Sequence, residues 1–364
     1  MAKKWIKGFS LFLIVVFTFL SASSLLVGGA EFGAPNSIAA NRSAMKSASP
    51  YRDLKVYAGG IPFGVKFITE GVLIVGFSDV KTEAGVTNPA KAAGLQCNDV
   101  ILQLNGNKLT SAAELSEIVE RSAGAPLSLV YTRGGQERTA TLTPVLSQTD
   151  HRYATGIYVR DSGAGIGTVT FILPKTGAFA GLGHGICDSQ TGNLIPMERG
   201  SVVDVTINGV VRGLSGSPGE VKGYFSSGKT GTLLGNTDCG VYGVFASLPD
   251  RLSRTLVSVG LRHELKEGKA TLACTLDDNT VRYYDIQISD IHRDSTTNKC
   301  FTVKITDPAL LEKTGGIIQG MSGSPIFQNG KIVGAVTHVL INDPTTGYGI
   351  FIENMLNQMG DLAG

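Results

Sequence analysis

The chain is poor in charge, in paired cysteines and in long helical patterns, and each shortage excludes something. Charged residues make up 17% of the 364 positions, and the formal net charge is +2. No strongly basic or acidic balance is present, so nucleic acid and other polyanions are not expected partners. The five cysteines, Cys97, Cys187, Cys239, Cys274 and Cys300, include no Cys-x-x-Cys pair. That argues against a structural zinc, and the set is too sparse and odd for a disulfide framework. What is plentiful is glycine, 47 residues, beside 42% hydrophobic positions. This balance favours short strands and tight turns around real cores, and the length leaves room for two domains.

One long apolar run stands at the start. Lys3, Lys4 and Lys7 precede an uncharged stretch over 8–30. It is long enough to cross a hydrocarbon core, which takes roughly 20 residues. Positive charge ahead of it predicts a cytoplasmic N-terminus and an exported body. Residues 1–30 therefore read as a transmembrane signal anchor. The alternative is a cleaved signal peptide ending near Ser21-Ala22-Ser23 or Gly29-Ala30. Residues 31–50, rich in Ala, Ser, Asn and Gly, read as a flexible tether.

Residues 51–145 alternate short strands with one clear helix. Ser111-x-x-Glu114 is a capping box, and Leu115, Ile118 and Val119 form an apolar stripe behind it. The strands at Leu127 and Thr139 face each other across a Gly134-Gly135 turn. With the Ala90-x-x-Ala93-Gly94-Leu95-x-x-Asn98-Asp99-Val100-Ile101 stretch and the Asn105-Gly106 turn, this segment resembles a PDZ domain. The resemblance implies a peptide added as a strand beside the helix, with backbone N–H groups of a loop holding its end. The matching loop is Pro62, Phe63, Gly64 and Val65, with one glycine where two are usual.

Residues 146–364 read as a mainly β domain, with Asn208-Gly209 as a hairpin signal and helix only near 354–362. Gly320-Met321-Ser322-Gly323-Ser324-Pro325 places a serine in a glycine turn, where the hydroxyl projects and the Gly320 and Ser322 N–H groups are aimed at a developing oxyanion. His184, framed by Gly183 and Gly185, is the expected base. A second copy of the pattern, Gly213-Leu214-Ser215-Gly216-Ser217-Pro218, lies too soon after His184 for an enzyme that draws histidine and serine from separate barrels. It suits a surface turn. Ser324 is a weaker alternative within the same loop, and His338 a strand-end histidine near Ser322. Cys187 reads as a small core residue. The acid that would orient the histidine is open among Asp188, Asp204, Asp238 and Asp307. Asp238 lies where a trypsin-like order would put it.

Four motifs together narrow the reading. Gly183-His184-Gly185-Ile186, Asn236-Thr237-Asp238-x-Gly240-Val241-Tyr242-Gly243, Gly320 to Ile326, and Gly334-Ala335-Val336-Thr337-His338 resemble the stage IV sporulation protein B family of membrane-tethered PDZ serine peptidases. The resemblance implies a trypsin-like double β-barrel with catalytic Ser322, His184 and Asp307, and no metal or organic cofactor. It also implies protein substrates: the chain's own N-terminal region and a membrane-bound regulator of an intramembrane protease. The body would lie in the forespore intermembrane space. A PDZ adaptor without activity and a general quality-control protease for exported proteins are the competing functions.

Overall fold

In the computed structural model residues 49–363 are described, except 190 and 279. The expected anchor over 1–30 and the expected tether up to residue 48 lie outside them. Among the described residues no helix is long and apolar enough to cross a membrane. The protein is mainly β and divides into two compact units, one of residues 71–165 and one of 49–70 with 166–363.

In the first unit the part of strand Pro62–Phe77 from Gly71 onward pairs with Val100–Leu104, which pairs with Leu127–Arg133 and then Gln136–Leu142. Helix Ala112–Arg121 lays Leu115 and Val119 into a core of Val72, Ile74, Ile101, Leu104, Leu129 and Leu142. Each such side chain contributes about 1.5–3 kcal/mol by leaving water. The helix starts as its sequence dictates: the Ser111 hydroxyl accepts from Glu114 N at 3.1 Å. The Glu114 carboxylate reaches one residue further back than a standard capping box, to Thr110 N at 2.9 Å. Asp99 is fully buried and is held by both Arg133 Nε and Nη2 at 2.7 Å, a two-point ion pair that satisfies a charge otherwise too costly to bury.

The expected peptide-binding loop at Pro62, Phe63, Gly64 and Val65 is corrected. These residues are the start of a strand and belong with the second unit. Val65 pairs with Val202 and Gly64 with Val203, and all four are buried. The space where a Gly64 Cβ would stand is taken by Phe225 and Val203, 2.6 Å away. This edge of the strand at Gly64 and Val65 is therefore committed to a sheet. The physical signal is the period-two burial of Val65, Phe67 and Thr69 against exposed Lys66, Ile68 and Glu70, which marks a half-buried strand.

In the second unit six strands close a barrel in the order Gly268–Cys274, Arg282–Ser289, Phe301–Ile305, Asp343–Phe351, Lys331–Leu340 and Pro325–Gln328. Leu272 opposite Ile326 seals the ring. Leu272, Ile286, Val303, Ile326, Val336 and Ile350 fill it. Strands Ile157–Ile172, Ala178–Gly181, Gly240–Phe245, Glu220–Thr237, Met197–Val211 and Pro62–Phe77 are paired in that order, and the last also pairs with the first. Helix Ile352–Met359 packs Met355 and Leu356 into the core. A second helix, Pro308–Thr314, was not legible in the sequence. It is two turns long, with Asp307 as N-cap and Pro308 at its first position.

Candidate active site

The two sequence-nominated residues sit on loops anchored to different strands of the second unit. His184 follows strand Ala178–Gly181 through Leu182 and Gly183, both with φ near +65° to +69°. A buried leucine in that region is strained, and the loop is held there by its surroundings. Asn236 is the main restraint. Its Oδ1 accepts from Ile186 N at 2.8 Å, and its Nδ2 donates to the Ile186 and Ile195 carbonyls at 2.9 and 3.0 Å. In the sequence Asn236 stands out only as part of a motif, with nothing local to mark this role.

Ser322 lies in the loop between helix Pro308–Thr314 and strand Pro325–Gln328. Thr168 Oγ1 donates to Gly320 O at 2.8 Å and Thr170 Oγ1 to Gly323 O at 2.7 Å. Thr168 N donates to Ser322 O at 3.0 Å. The loop is thus tied to strand Ile157–Ile172, the neighbour of the strand that carries His184. Gly323 N donates to Val336 O at 2.8 Å. The N–H groups of Gly320 and Ser322 have no intramolecular acceptor among the described residues, so both remain available to an oxygen placed beside the serine.

Thr337 and His338 link the two loops. The Ser322 hydroxyl donates to the Thr337 carbonyl at 2.8 Å. The His338 ring packs on His184 with centroids 4.7 Å apart and planes at 37°. Gly183 also abuts Thr337: a Cβ there would stand 2.9 Å from its methyl group. His184 is buried, and its Nδ1 lies 2.9 Å from Gly185 O. With that nitrogen donating, the other is left as the basic one. Burial lowers the pKa of His184 below that of a free imidazole. His338 is pushed down to about 2 by burial first, then by the charges of His184 and Lys299. Both rings are therefore neutral near pH 7.

Each acidic candidate makes contacts of its own. Asp307 caps helix Pro308–Thr314: its Oδ1 accepts from Leu310 N at 3.0 Å and its Oδ2 from Asp285 N at 3.3 Å. Neither oxygen bonds to His184. Asp238 is an exposed turn residue whose backbone carbonyl accepts from Asn298 Nδ2. Asp204 pairs with Arg251, and buried Asp188 accepts from Thr191 N at 3.0 Å. His184 Nδ1 instead meets the Gly185 carbonyl. That carbonyl fixes the tautomer but brings no full charge to an imidazolium. The role of Asp307 is separable by substitution. Asp307→Asn keeps a capping side chain and is expected to leave thermal stability nearly unchanged, whereas Asp307→Ala is expected to cost about 1 kcal/mol. A peptidase rate that follows the cap, intact in Asn and reduced in Ala, assigns Asp307 to the helix; a rate lost in both assigns it to the chemistry.

The alternatives fare as follows. Ser215 is exposed and its hydroxyl donates to Asn342 O at 2.9 Å. Ser324 is fully buried, with no acceptor for its hydroxyl among the described residues, out of reach of a substrate. Cys187 is partly buried, and burial, with Asp238 and Asp188 nearby, raises its thiol pKa, so it stays protonated. All five cysteines are free thiols. Among the described residues no three His, Cys, Asp or Glu side chains are grouped to hold a metal ion.

A glycine-framed serine beside two unbonded N–H groups, joined through one strand end to a buried neutral histidine, defines a serine peptidase, here carrying a PDZ domain. The chain belongs to the SpoIVB peptidase S55 family, whose model matches residues 151–356, and a PDZ model matches 71–143. It is 33% identical over 106 residues to the zinc metalloprotease RasP of Shouchella clausii, covering 26% of this chain and 25% of that protein. It is 34% identical over 83 residues to RasP of Geobacillus kaustophilus, covering 22% and 20%. The chain thus spans about a quarter or less of the length of these curated relatives. A solved PDZ domain of the SdrC-like protein from Listeria monocytogenes is 21% identical, with a TM-score of 0.20, over 25% of this chain and 87% of that one.

Proposed function

We propose that the chain is a serine endopeptidase in which Ser322 attacks a peptide carbonyl. His184 takes the hydroxyl proton and later returns it to the leaving amine, and the Gly320 and Ser322 N–H groups hold the oxyanion. The observation that carries this is the strand end Thr337–His338, which contacts both the serine hydroxyl and the histidine ring. In the resting arrangement the hydroxyl bonds to Thr337 O, so the reaction begins with a rotation about Cα–Cβ that turns it to His184. The six-strand ring of pairings and the closed barrel support a trypsin-like two-barrel reading. The family resemblance supports the wider one: a membrane-anchored body outside the cytoplasm that cleaves its own N-terminal region and a membrane-bound regulator, as a signal activating sigma-factor processing in sporulation. The third member is proposed as Asp307 on that resemblance alone.

The test is intact mass after fluorophosphonate treatment, with the adduct mapped by digestion. One adduct on Ser322, absent in His184→Ala, supports the reading. A folded protein that takes no adduct favours the PDZ adaptor, and an adduct on Ser215 moves the nucleophile to the other motif.

The pH profile follows from the histidines. Because burial lowers the pKa of His184, kcat/KM is expected to hold through pH 6.5 and to fall only at lower pH. Stability has the same sign. Below about pH 6.5 the unfolded chain binds protons on these histidines while the folded one does not, so stability declines as pH drops from there. An acid limb above pH 6.5 in kcat/KM would remove His184 as the base.

A further inference from the structure

The second serine motif, Gly213-Leu214-Ser215-Gly216-Ser217-Pro218, remains unexplained by the chemistry, and its contacts give it a purpose. It joins strands Met197–Val211 and Glu220–Thr237. The motif and the residue after it grip the segment that leads into the nucleophile loop: Gly213 N donates to Thr314 O, and Gly219 O accepts from Gln319 N, both at 2.8 Å. Val221 N adds a third bond, to Gln319 O at 2.8 Å. It also grips the turn beyond His338. Gly216 N donates to Ile341 O at 2.8 Å, and Ser215 Oγ to Asn342 O at 2.9 Å.

These two gripped segments are the ones that flank Ser322. One leads from Thr314 through Gln319 to Gly320. The other runs from Thr337, whose carbonyl receives the serine hydroxyl, to Gly347. A peptide with its carbonyl oxygen against the Gly320 and Ser322 N–H groups must place the side chain on the acyl side of the scissile bond between them. That is the position whose recess sets specificity in two-barrel peptidases. Here the two segments touch. Ile317 N donates to Pro344 O at 2.7 Å. A Cβ on Gly316 would stand 2.0 Å from Pro344 O, so the backbones are in direct contact. The Ile317 side chain lies against the second segment, its Cδ1 2.7 Å from the Cβ position of Gly347. Ile317 and Ile318 are both buried. Asp343, at the turn, has its carboxylate engaged by Thr345 and Thr346.

We infer that this recess is shallow, aliphatic and braced against opening by the second serine motif, so that the enzyme requires a small apolar residue, alanine to valine in size, on the acyl side of the bond it cuts. The inference rests on Ser322 being the nucleophile. Leu214 and Ser217 need no catalytic role: the turn at Ser215, with Gly216 in the left-handed region, projects a brace where the turn at Ser322 projects a nucleophile. The brace fixes the recess from outside, and Ile317 sets its floor from within.

The experiment uses the full chain and fluorogenic peptides that vary only in the acyl-side residue, each enzyme being titrated first with fluorophosphonate. The expected result is kcat/KM at least 10-fold higher for Ala or Val than for Leu, Phe, Arg or Glu, with the difference carried by the peptide and not by the fraction of labelled Ser322. Ile317→Ala is expected to raise Leu or Phe relative to Ala by about 10-fold, a methylene or two being worth that much in an apolar pocket. Ile317→Val, which disturbs the core less, should give a smaller shift of the same sign. Ser215→Ala should relax the preference while leaving labelling of Ser322 intact. A labelled wild-type enzyme that prefers bulky or basic residues overturns the inference. So does one whose preference is unmoved in both Ile317 variants. A preference for an acidic residue overturns it too, and would point to Arg212, whose side chain runs beside Gly315. No labelling of Ser322 in folded wild type is a different failure, since it removes the peptidase reading itself and this inference with it.

Discussion

Ser322→Ala is expected to lower kcat for peptide hydrolysis by about 10⁶-fold, the scale on which a nucleophile working as a unit with its base is lost. The fold should survive. The hydroxyl makes a single hydrogen bond, to Thr337 O, and one such bond contributes about 1 kcal/mol. The loop that carries it is held by other groups: the Thr168 and Thr170 hydroxyls and the Gly323 N–H. Circular dichroism and a denaturation midpoint close to wild type, together with the rate, make the check. His184→Ala should cost a similar factor, and the double variant little more than either alone, because in the proposed mechanism the two residues perform one proton transfer. Additive losses in the double variant would mean that they do not act together.

The second large effect is structural. Gly323 has φ +91°, where residues with a Cβ are strained. Space is the greater constraint. A Cβ there would stand 2.1 Å from Thr168 O and 2.4 Å from Leu182 N, both backbone atoms that cannot swing aside. Gly323 is where the serine loop rests directly on the chain leading to the histidine loop. Gly323→Ala is therefore expected to destabilise the second unit by about 3 kcal/mol or more, combining backbone strain with a core clash. Labelling of Ser322 should fall at least 100-fold even in the fraction that folds, since a displacement of 1 Å between reacting groups costs about that much. Gly330→Ala is the control. Its φ is +74° but nothing lies within 4 Å of its Cβ position, so it should show the conformational strain alone, about 1–2 kcal/mol, with labelling unaffected. Equal effects at the two positions would refute the packing argument.

Several elements were legible because they depend on neighbours in sequence. The capped helix Ala112–Arg121 follows from Ser111, Glu114 and an apolar stripe. The Gly134-Gly135 turn follows from two glycines with positive φ between alternating strands. The serine loop is similarly local: Gly320 and Gly323 both have positive φ, and a search for a glycine-framed serine finds it. The same logic explains the failure at Pro62 to Val65. A glycine between apolar residues marks a binding loop in one context and a strand closely packed at Gly64 in another. The partner that decides between them, strand Met197–Val211, is more than a hundred positions away in the chain. Helix Pro308–Thr314 is not legible in the sequence because a two-turn helix has no periodicity, only a cap.

The sequence by itself determined local features: a serine and a histidine each framed by glycines, a PDZ-like module ahead of them, and strands throughout. Glycine spacing and hydrophobic alternation act over a few residues, and so they are readable one residue after another. Only the tertiary structure decided what those residues meet. It joined Ser322 to His184 through Thr337 and His338, gave the orienting bond of His184 to the Gly185 carbonyl, committed Asp307 to a helix end, and turned the repeated motif at Ser215 into a brace. The contacts of His184 with His338 and of Ser215 with Asn342 join segments far apart in the chain. Such contacts are selected by barrel closure, which sets the register of all the strands at once and leaves no trace in any single stretch of sequence.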